Sequence, residues 1–234
     1  MILIISYITN FLPLVILALF FKKNKSENLK VFCIYVIYFA ILIAVQLLLK
    51  YYFQTKELYF LTIRIHHVVE YCFLAFFFQA KFHNTKVRKF VIASLPIYIG
   101  YSLYSYITSN KLVFGADPAI IESLLLLIVI IYYFFEKIKY EIQAPVYESK
   151  IFWIAVALFI FFSGNFFLLI YSKSMIGETH FREQYVIIYN SFNIIKNLLL
   201  CVALIIKQNN NFIGRETNQV NYPFDNFHPF NNQN

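Results

Sequence analysis

Residues 151–171 read IFWIAVALFIFFSGNFFLLIY, an apolar run without a single charged side chain. As a helix, a run of this length is about 30 Å long, which matches the hydrocarbon core of a bilayer. Its main interruption is the tripeptide of Ser163, Gly164 and Asn165. We therefore predict a transmembrane helix over these residues.

The chain as a whole is also strongly apolar, since 60% of its 234 residues are hydrophobic and only 14% are charged. A soluble domain is about half apolar and about a quarter charged, and a domain of this size cannot bury so much apolar surface. The same numbers exclude a disordered chain, a coiled coil and a secreted disulfide scaffold. The basic residues behind the net charge of +8 lie between the apolar runs, so we expect membrane lipids and no nucleic acid as partners.

Seven apolar runs indicate an all-α fold, a polytopic membrane protein in which seven transmembrane helices form a bundle. The runs are residues 2–21, 31–49, 59–78, 90–107, 118–135, 151–171 and 184–206. We place the transmembrane domain over residues 1–207. The tail, residues 208–234, is rich in Asn and Gln and is predicted to be a disordered polar segment in the cytoplasm.

The distribution of Lys and Arg predicts the orientation. These residues concentrate in the loops that follow the first, third and fifth runs and in the tail. Cytoplasmic loops of membrane proteins carry an excess of positive charge. We therefore predict that the N-terminus lies outside and that the C-terminus lies in the cytoplasm.

The third run contains one arginine, two histidines and one glutamate within LTIRIHHVVEYCF, residues 61–73. Arg64, His67 and Glu70 are three residues apart and share one helix stripe, and His66 lies one turn before Glu70. A charged side chain inside a bilayer costs several kcal/mol, so intramembrane ionisable residues are candidates for function. We expect this stripe to face the interior of the bundle, although Arg64 can equally snorkel to the outer headgroups.

The seventh run has a second polar face in the segment YVIIYNSFNIIKNLLL. Asn190, Asn193 and Asn197 follow one stripe at helical spacing, and Lys196 lies beside them. Glu70 and Lys196 each lie about a dozen residues, or about 18 Å, past the outer start of their runs. This matched depth predicts an ion pair between Glu70 and Lys196, provided that the two helices adjoin.

Two further polar residues extend this region. Glu122 lies near the outer start of the fifth run, and Asn165 lies in the outer half of the sixth. For Asn165, helix packing with the help of Ser163 and Gly164 is an alternative that we favour over binding. Together the runs predict a polar pocket in the outer half of the bundle. Its residues are Arg64, His66, His67, Glu70, Glu122, Asn165, Asn190, Asn193 and Lys196.

This pattern favours binding over catalysis. Adjacent histidines point about 100° apart on a helix, and the HExxH motif is absent, so we expect no metal site and no cofactor. No serine-nucleophile motif is present either. The same Glu, His and Lys side chains leave open an intramembrane enzyme or a transporter of protons or small solutes. We favour a sensory or accessory protein that acts through a partner on the cytoplasmic side. An accessory subunit of a defence or secretion system is a further alternative. The chain can also form a homo-oligomer in any of these roles.

Four segments carry a resemblance to known proteins: IRIHHVVEYCFLAFFF, ESLLLLIVIIYYFFE, PVYESKIFWIAVALFIFFSGNFFLLIYS and YNSFNIIKNLLLCVALII. In this order they resemble uncharacterised seven-transmembrane-helix proteins of Bacteroidota, similar to the membrane sensor part associated with histidine kinases. The resemblance implies a signalling role in a bacterial inner membrane and names no catalytic residue. No kinase domain follows the seventh run in this sequence, so signalling would need a separate protein.

Overall fold

The computed structural model describes residues 2–21, 24, 29–109, 116–140, 146–174 and 179–206. In this part of the chain, seven helices are long and apolar enough to cross a membrane. The predicted all-α fold with seven potential membrane spans is therefore confirmed. The predicted disordered tail, residues 208–234, lies outside the described residues.

The seven helices correspond one to one with the apolar runs. They are α1 (Ile2–Leu19), α2 (Lys30–Leu48), α3 (Lys56–Gln79), α4 (Thr85–Thr108), α5 (Ala116–Tyr140), α6 (Lys150–Ser174) and α7 (Thr179–Ile205). Some helices extend beyond the apolar residues because polar caps stabilise their ends. At the start of α4, for example, the side chain of Asn84 accepts a hydrogen bond from the backbone N–H of Lys86 over 2.9 Å.

Six of the helices form a closed ring in the order α1, α2, α3, α5, α6, α7, and α7 packs back onto α1. The remaining helix, α4, lies outside the ring against α3 and α5. Only 17% of the apolar window of α4 is buried, the lowest share among the seven helices. In this ring α3 and α7 lie on opposite sides, and this arrangement determines which polar side chains meet.

Apolar and aromatic side chains fill the ring, and others cover its outer surface. Tyr35, Tyr71 and Phe78 are fully buried, whereas Ile8 and Leu103 are 66% and 58% exposed. Exposed apolar side chains on this scale are unfavourable in water, and lipid chains are their natural environment. The fold therefore places its polar groups inside and an apolar surface outside, as expected for a protein surrounded by lipid.

Candidate functional site

His67 and Glu122 connect α3 to α5 inside the bundle. His67 Nδ1 lies 2.5 Å from Glu122 Oε2, and the side chain of Glu122 is 1% exposed. A separation this short between an imidazole and a carboxyl group is a strong hydrogen bond, with its proton on either the ring nitrogen or the carboxyl oxygen. The two helices are thus held together by a polar contact between a partly buried imidazole and a fully buried carboxyl group.

Glu70 lies one turn after His67 on α3 and is 2% exposed. Tyr35 of α2 donates its hydroxyl to Glu70 Oε1 over 2.5 Å, and His66 Nε2 lies 3.3 Å from Glu70 Oε2. The His66 contact uses the one-turn spacing noted in the sequence. We call the four residues His66, His67, Glu70 and Glu122 the His–Glu cluster.

Three side chains of the cluster reach a common point. One donor atom from each of His67, Glu70 and Glu122 lies within 4.8 Å of the other two. Along the sequence only α3 offers neighbouring ligands, which is why no metal site is predicted there. The packing of α5 on α3 supplies the third donor by bringing Glu122 to His67. One imidazole and two carboxylates form a donor set that can hold a divalent cation.

Several buried polar atoms in this region lack a hydrogen-bond partner among the described residues. They are Glu122 Oε1, His66 Nδ1 and Tyr38 Oη. An unpaired polar atom in apolar surroundings costs about 1–3 kcal/mol. The cluster therefore has unused capacity to bind a proton, a water molecule or an ion.

Lys196 is 1% exposed, but it does not form the predicted ion pair. Its Nζ lies 4.4 Å from the centroid of the Phe39 ring and 4.0 Å from that of Phe161. Among the described residues, no carboxylate oxygen of Glu70 approaches Lys196 Nζ within 4.0 Å. The prediction was wrong because α3 and α7 face each other across the ring, so equal depth does not bring their side chains into contact. The ammonium group is instead stabilised by two aromatic faces.

A cavity of about 10 Å³ lies beside Lys196, between α1, α2 and α7. Its polar lining comes from Asn10, Tyr35, Lys196 and Asn197. A volume of this size holds about one water molecule, which would have several polar partners here. This part of the polar interior has room for water and not for an organic solute.

The asparagines of α7 attach that helix to α1. Asn193 Nδ2 donates to Asn10 Oδ1 over 2.7 Å and to Ser6 Oγ over 3.0 Å, and Asn197 Nδ2 donates to Asn10 Oδ1 over 2.8 Å. Asn190 donates to the backbone of its own helix. These predicted pocket residues therefore have packing partners away from the His–Glu cluster. Ser6 and Asn10 are not among the predicted residues, although their spacing of one helical turn was a signal.

Arg64 and Asn165 pack against other parts of the bundle. The guanidinium carbon of Arg64 lies 5.4 Å from the centroid of the Tyr106 ring on α4. Asn165 is buried on α6, next to a close approach of α6 and α7. At this approach a Cβ on Gly164 would lie 2.5 Å from the ring of Phe192. The geometry agrees with the packing alternative for the Ser-Gly-Asn segment.

Glu136 connects α5 to the turn between α3 and α4, near the end of the bundle opposite to Glu122. Its carboxylate accepts hydrogen bonds from the backbone N–H groups of His83 and Asn84, at 2.9 Å and 3.1 Å. The hydroxyl of Tyr132 donates to it over 2.9 Å, and Glu136 is 4% exposed. No sequence pattern marks this residue, because its backbone partners are more than 50 positions away along the chain.

A recess of about 100 Å³ opens beside this carboxylate. It is lined by Lys81, His83, Tyr133, Glu136, Lys137 and Ile151. Partial burial lowers the pKa of the Lys81 ammonium group below its ordinary value. This end of the bundle thus combines a recess with basic side chains.

Comparison of the chain with protein-family models, with curated proteins and with solved structures finds no match. The function of the cluster therefore has to be argued from its own chemistry. That chemistry consists of two buried carboxylates, two imidazoles and a tyrosine hydroxyl, with an ammonium group nearby. Such groups can exchange protons or coordinate a small cation.

Proposed function

We propose that this protein is a sensory or accessory protein of a bacterial inner membrane. In this proposal the His–Glu cluster binds a small ligand, and a protein partner at the cytoplasmic end receives the signal. The observation that carries the proposal is the cluster itself, in which two buried carboxylates and two partly buried imidazoles from α3 and α5 meet and retain unpaired polar atoms. Such groups inside a membrane are expensive and are typical of functional sites.

The size of the polar interior favours a small ligand. An enzyme acting at Glu70 would need a cavity for its substrate, and a transporter would need a route to both ends of the bundle. The cavity beside Lys196 reaches Tyr35, the partner of Glu70, but is lined by no member of the His–Glu cluster; it measures about 10 Å³, and aromatic rings fill much of the surrounding core. A proton, a water molecule or a single ion fits this space.

Two contacts provide a route from the cluster to the other end of the bundle. His67 binds Glu122 at one level, and the turn between α3 and α4 binds Glu136 at another. Both glutamates belong to α5 and lie fourteen residues, or about 21 Å, apart. Because a helix is stiff over this distance, a shift of α5 at Glu122 also moves the position of Glu136.

The far end offers a surface for a partner. Basic side chains surround the α3–α4 turn and the end of α5: Lys81, Lys86, Arg88, Lys89, Lys137 and Lys139. Under the predicted orientation this end lies in the cytoplasm, where anionic lipids and an acidic partner surface are both attracted to it. The resemblance to membrane sensor regions associated with histidine kinases also favours signalling from the His–Glu cluster towards the cytoplasmic end.

The test is hydrogen–deuterium exchange of the purified chain in lipid nanodiscs, at several pH values and with a panel of ions. We expect a ligand at the cluster to change the exchange of backbone amides at residues 80–86 in the native protein. Glu122→Gln should abolish this response, whereas Glu57→Gln, which alters an exposed carboxylate in the first turn of α3, should preserve it. If the protein is folded and the amide exchange at residues 80–86 is the same under every condition, the proposed coupling is ruled out.

A further inference from the structure

We propose that His67, Glu70 and Glu122 bind one divalent first-row transition-metal ion inside the bundle. The inference rests on the proposed function in one respect, since this ion would be the ligand that the sensor recognises. The binding site itself is argued from the positions of its side chains, their burial and their charge.

The donor atoms are already close to metal-binding positions. One atom from each side chain lies within 4.8 Å of the other two. Ligand bonds of about 2.0–2.2 Å place two ligands of one ion roughly 3.0–4.4 Å apart, so small side-chain rotations are sufficient. The 2.5 Å contact between His67 Nδ1 and Glu122 Oε2 is shorter than this separation. It is the arrangement with a hydrogen between the two atoms, and an ion would take the place of that hydrogen.

A second observation also points to a ligand. Glu122 Oε1 is buried and has no hydrogen-bond partner among the described residues, although the whole side chain is 1% exposed. The other oxygen of the same carboxylate contacts His67. A bound cation would use the unpaired oxygen, either by bidentate coordination or after rotation of the carboxylate, and would remove the cost of leaving it unpaired.

The charges of the three side chains match a divalent ion. With both carboxylates ionised and the imidazole neutral, the three side chains would carry a charge of −2, which a divalent cation would neutralise. Buried charges are tolerated when they are paired or coordinate a metal. In the low-dielectric interior of a membrane bundle, this pairing is much stronger than it would be in water.

The donor types indicate the class of ion. Imidazole suits Zn²⁺, Fe²⁺ and related ions, and carboxylates suit the harder Mn²⁺. Ca²⁺ takes six to eight oxygen ligands, and Cu⁺ prefers thiolates and thioethers, so neither suits one nitrogen and two carboxylates. We therefore assign the site to Zn²⁺, Mn²⁺ or Fe²⁺, with water completing the coordination.

Neighbouring side chains orient and modulate the site. From α2, Tyr35 donates to Glu70 Oε1, and Tyr38 lies close by against the ring of His66, whose Nε2 lies 3.3 Å from Glu70 Oε2. Hydrogen bonds of this kind fix the orientation of a metal ligand. His66 on α3 contacts Glu70, and Lys196 on α7 attracts the same carboxylate over a longer distance; a positive charge on either side chain opposes the binding of a cation.

The test is metal content and affinity of the full chain, purified in detergent, stripped with a chelator and dialysed against Zn²⁺. We expect one Zn²⁺ per chain, with at least a tenfold weaker affinity in Glu122→Gln and in His67→Gln. The matched controls are Glu57→Gln and His83→Gln, because both side chains are exposed and lie outside the site. These controls should bind Zn²⁺ as the native protein does.

Binding of equal strength by Glu122→Gln and Glu57→Gln would overturn the site, and so would a native chain that retains none of Zn²⁺, Mn²⁺ and Fe²⁺ after dialysis against each. If a cluster variant does not fold, X-ray absorption of the native zinc-loaded protein decides instead. One imidazole and otherwise oxygen ligands support the site, and any sulfur ligand refutes it.

The proposed function fails separately: zinc that binds at the site without changing exchange at residues 80–86 refutes the sensor and leaves the metal site intact. Conversely, amide exchange at residues 80–86 that responds to pH, in a chain that binds none of Zn²⁺, Mn²⁺ and Fe²⁺, refutes the metal site and leaves the proposed sensor intact.

Discussion

Lys196 shows that a buried charge in this bundle can be held without a carboxylate in contact. Its ammonium group lies between the rings of Phe39 and Phe161, where cation–π attraction replaces part of the lost hydration. A desolvated charge is costly to bury, and among the described residues Lys196 has no carboxylate within 4.0 Å that its replacement would leave unpaired. The charge of Lys196 is thus a candidate for a feature that function retains at the expense of stability.

Lys196→Met should raise the thermal stability of the purified protein, by about 1 kcal/mol, because Met keeps the contacts with both rings and removes the desolvated charge. Thermal unfolding in detergent measures the effect, with Lys56→Met at the exposed start of α3 as the control. A lower melting temperature for Lys196→Met alone would show that the ammonium group is needed to balance Glu70.

Two neighbouring tyrosines of α2 provide a matched comparison of hydrogen bonding. Tyr35 donates to Glu70, whereas Tyr38 Oη has no partner among the described residues. Tyr35→Phe should destabilise the protein by about 1.5–3 kcal/mol, since it removes a buried hydrogen bond to a charged group. Tyr38→Phe should change the melting temperature little. Equal effects of the two substitutions would contradict the assigned Tyr35–Glu70 bond.

At the scale of helices, the close packing of α6 on α7 depends on the absence of a side chain at Gly164. A Cβ at this position would lie 2.5 Å from the ring of Phe192, whereas one at Gly100 on α4 would meet nothing within 4 Å. The same substitution therefore tests two different environments, one inside the ring and one on its outer helix.

Gly164→Ala should destabilise the bundle by about 1–3 kcal/mol, because the Phe192 ring must move out of a packed position. Gly100→Ala should be neutral or stabilise by up to about 1 kcal/mol, because Ala is the better helix former and the space is open. Melting temperatures of the two variants against the native protein give the comparison. A neutral Gly164→Ala would mean that α6 and α7 are less closely packed than described.

At the scale of the whole molecule, the orientation in the membrane stays a prediction from the basic loops. Lys56 and Lys86 lie at opposite ends of the bundle, at the starts of α3 and α4. Each is replaced by cysteine in a separate variant. In a chain whose three native cysteines are replaced by alanine, a membrane-impermeant maleimide should label intact cells at position 56 and not at position 86. Labelling with the opposite preference would invert the topology and place the basic recess outside.

The sequence predicts the helices well and the contacts between them poorly, for a physical reason. An apolar run of about 20 residues has essentially one way to satisfy its backbone inside a membrane, so each run becomes a helix. The order of helices around the ring depends on side-chain packing that no local pattern encodes. Glu70 and Lys196 were matched by depth yet lie across the ring, while Glu122 meets His67 because α5, and not α7, is the neighbour of α3.

The link between His67 and Glu122 also has a consequence for how the chain is made. The two residues are 55 positions apart, and α3 has the lowest mean hydropathy of the seven spans, 1.3 over its window. At about 5–20 residues per second, a ribosome needs about 3–11 s to reach Glu122 after it has made His67. During that interval α3 is made but its partner on α5 is not, so lipid is an unfavourable environment for its polar stripe. We therefore expect α3 to be the span that gains most from the arrival of a later one, because α5 supplies the partner for its polar stripe.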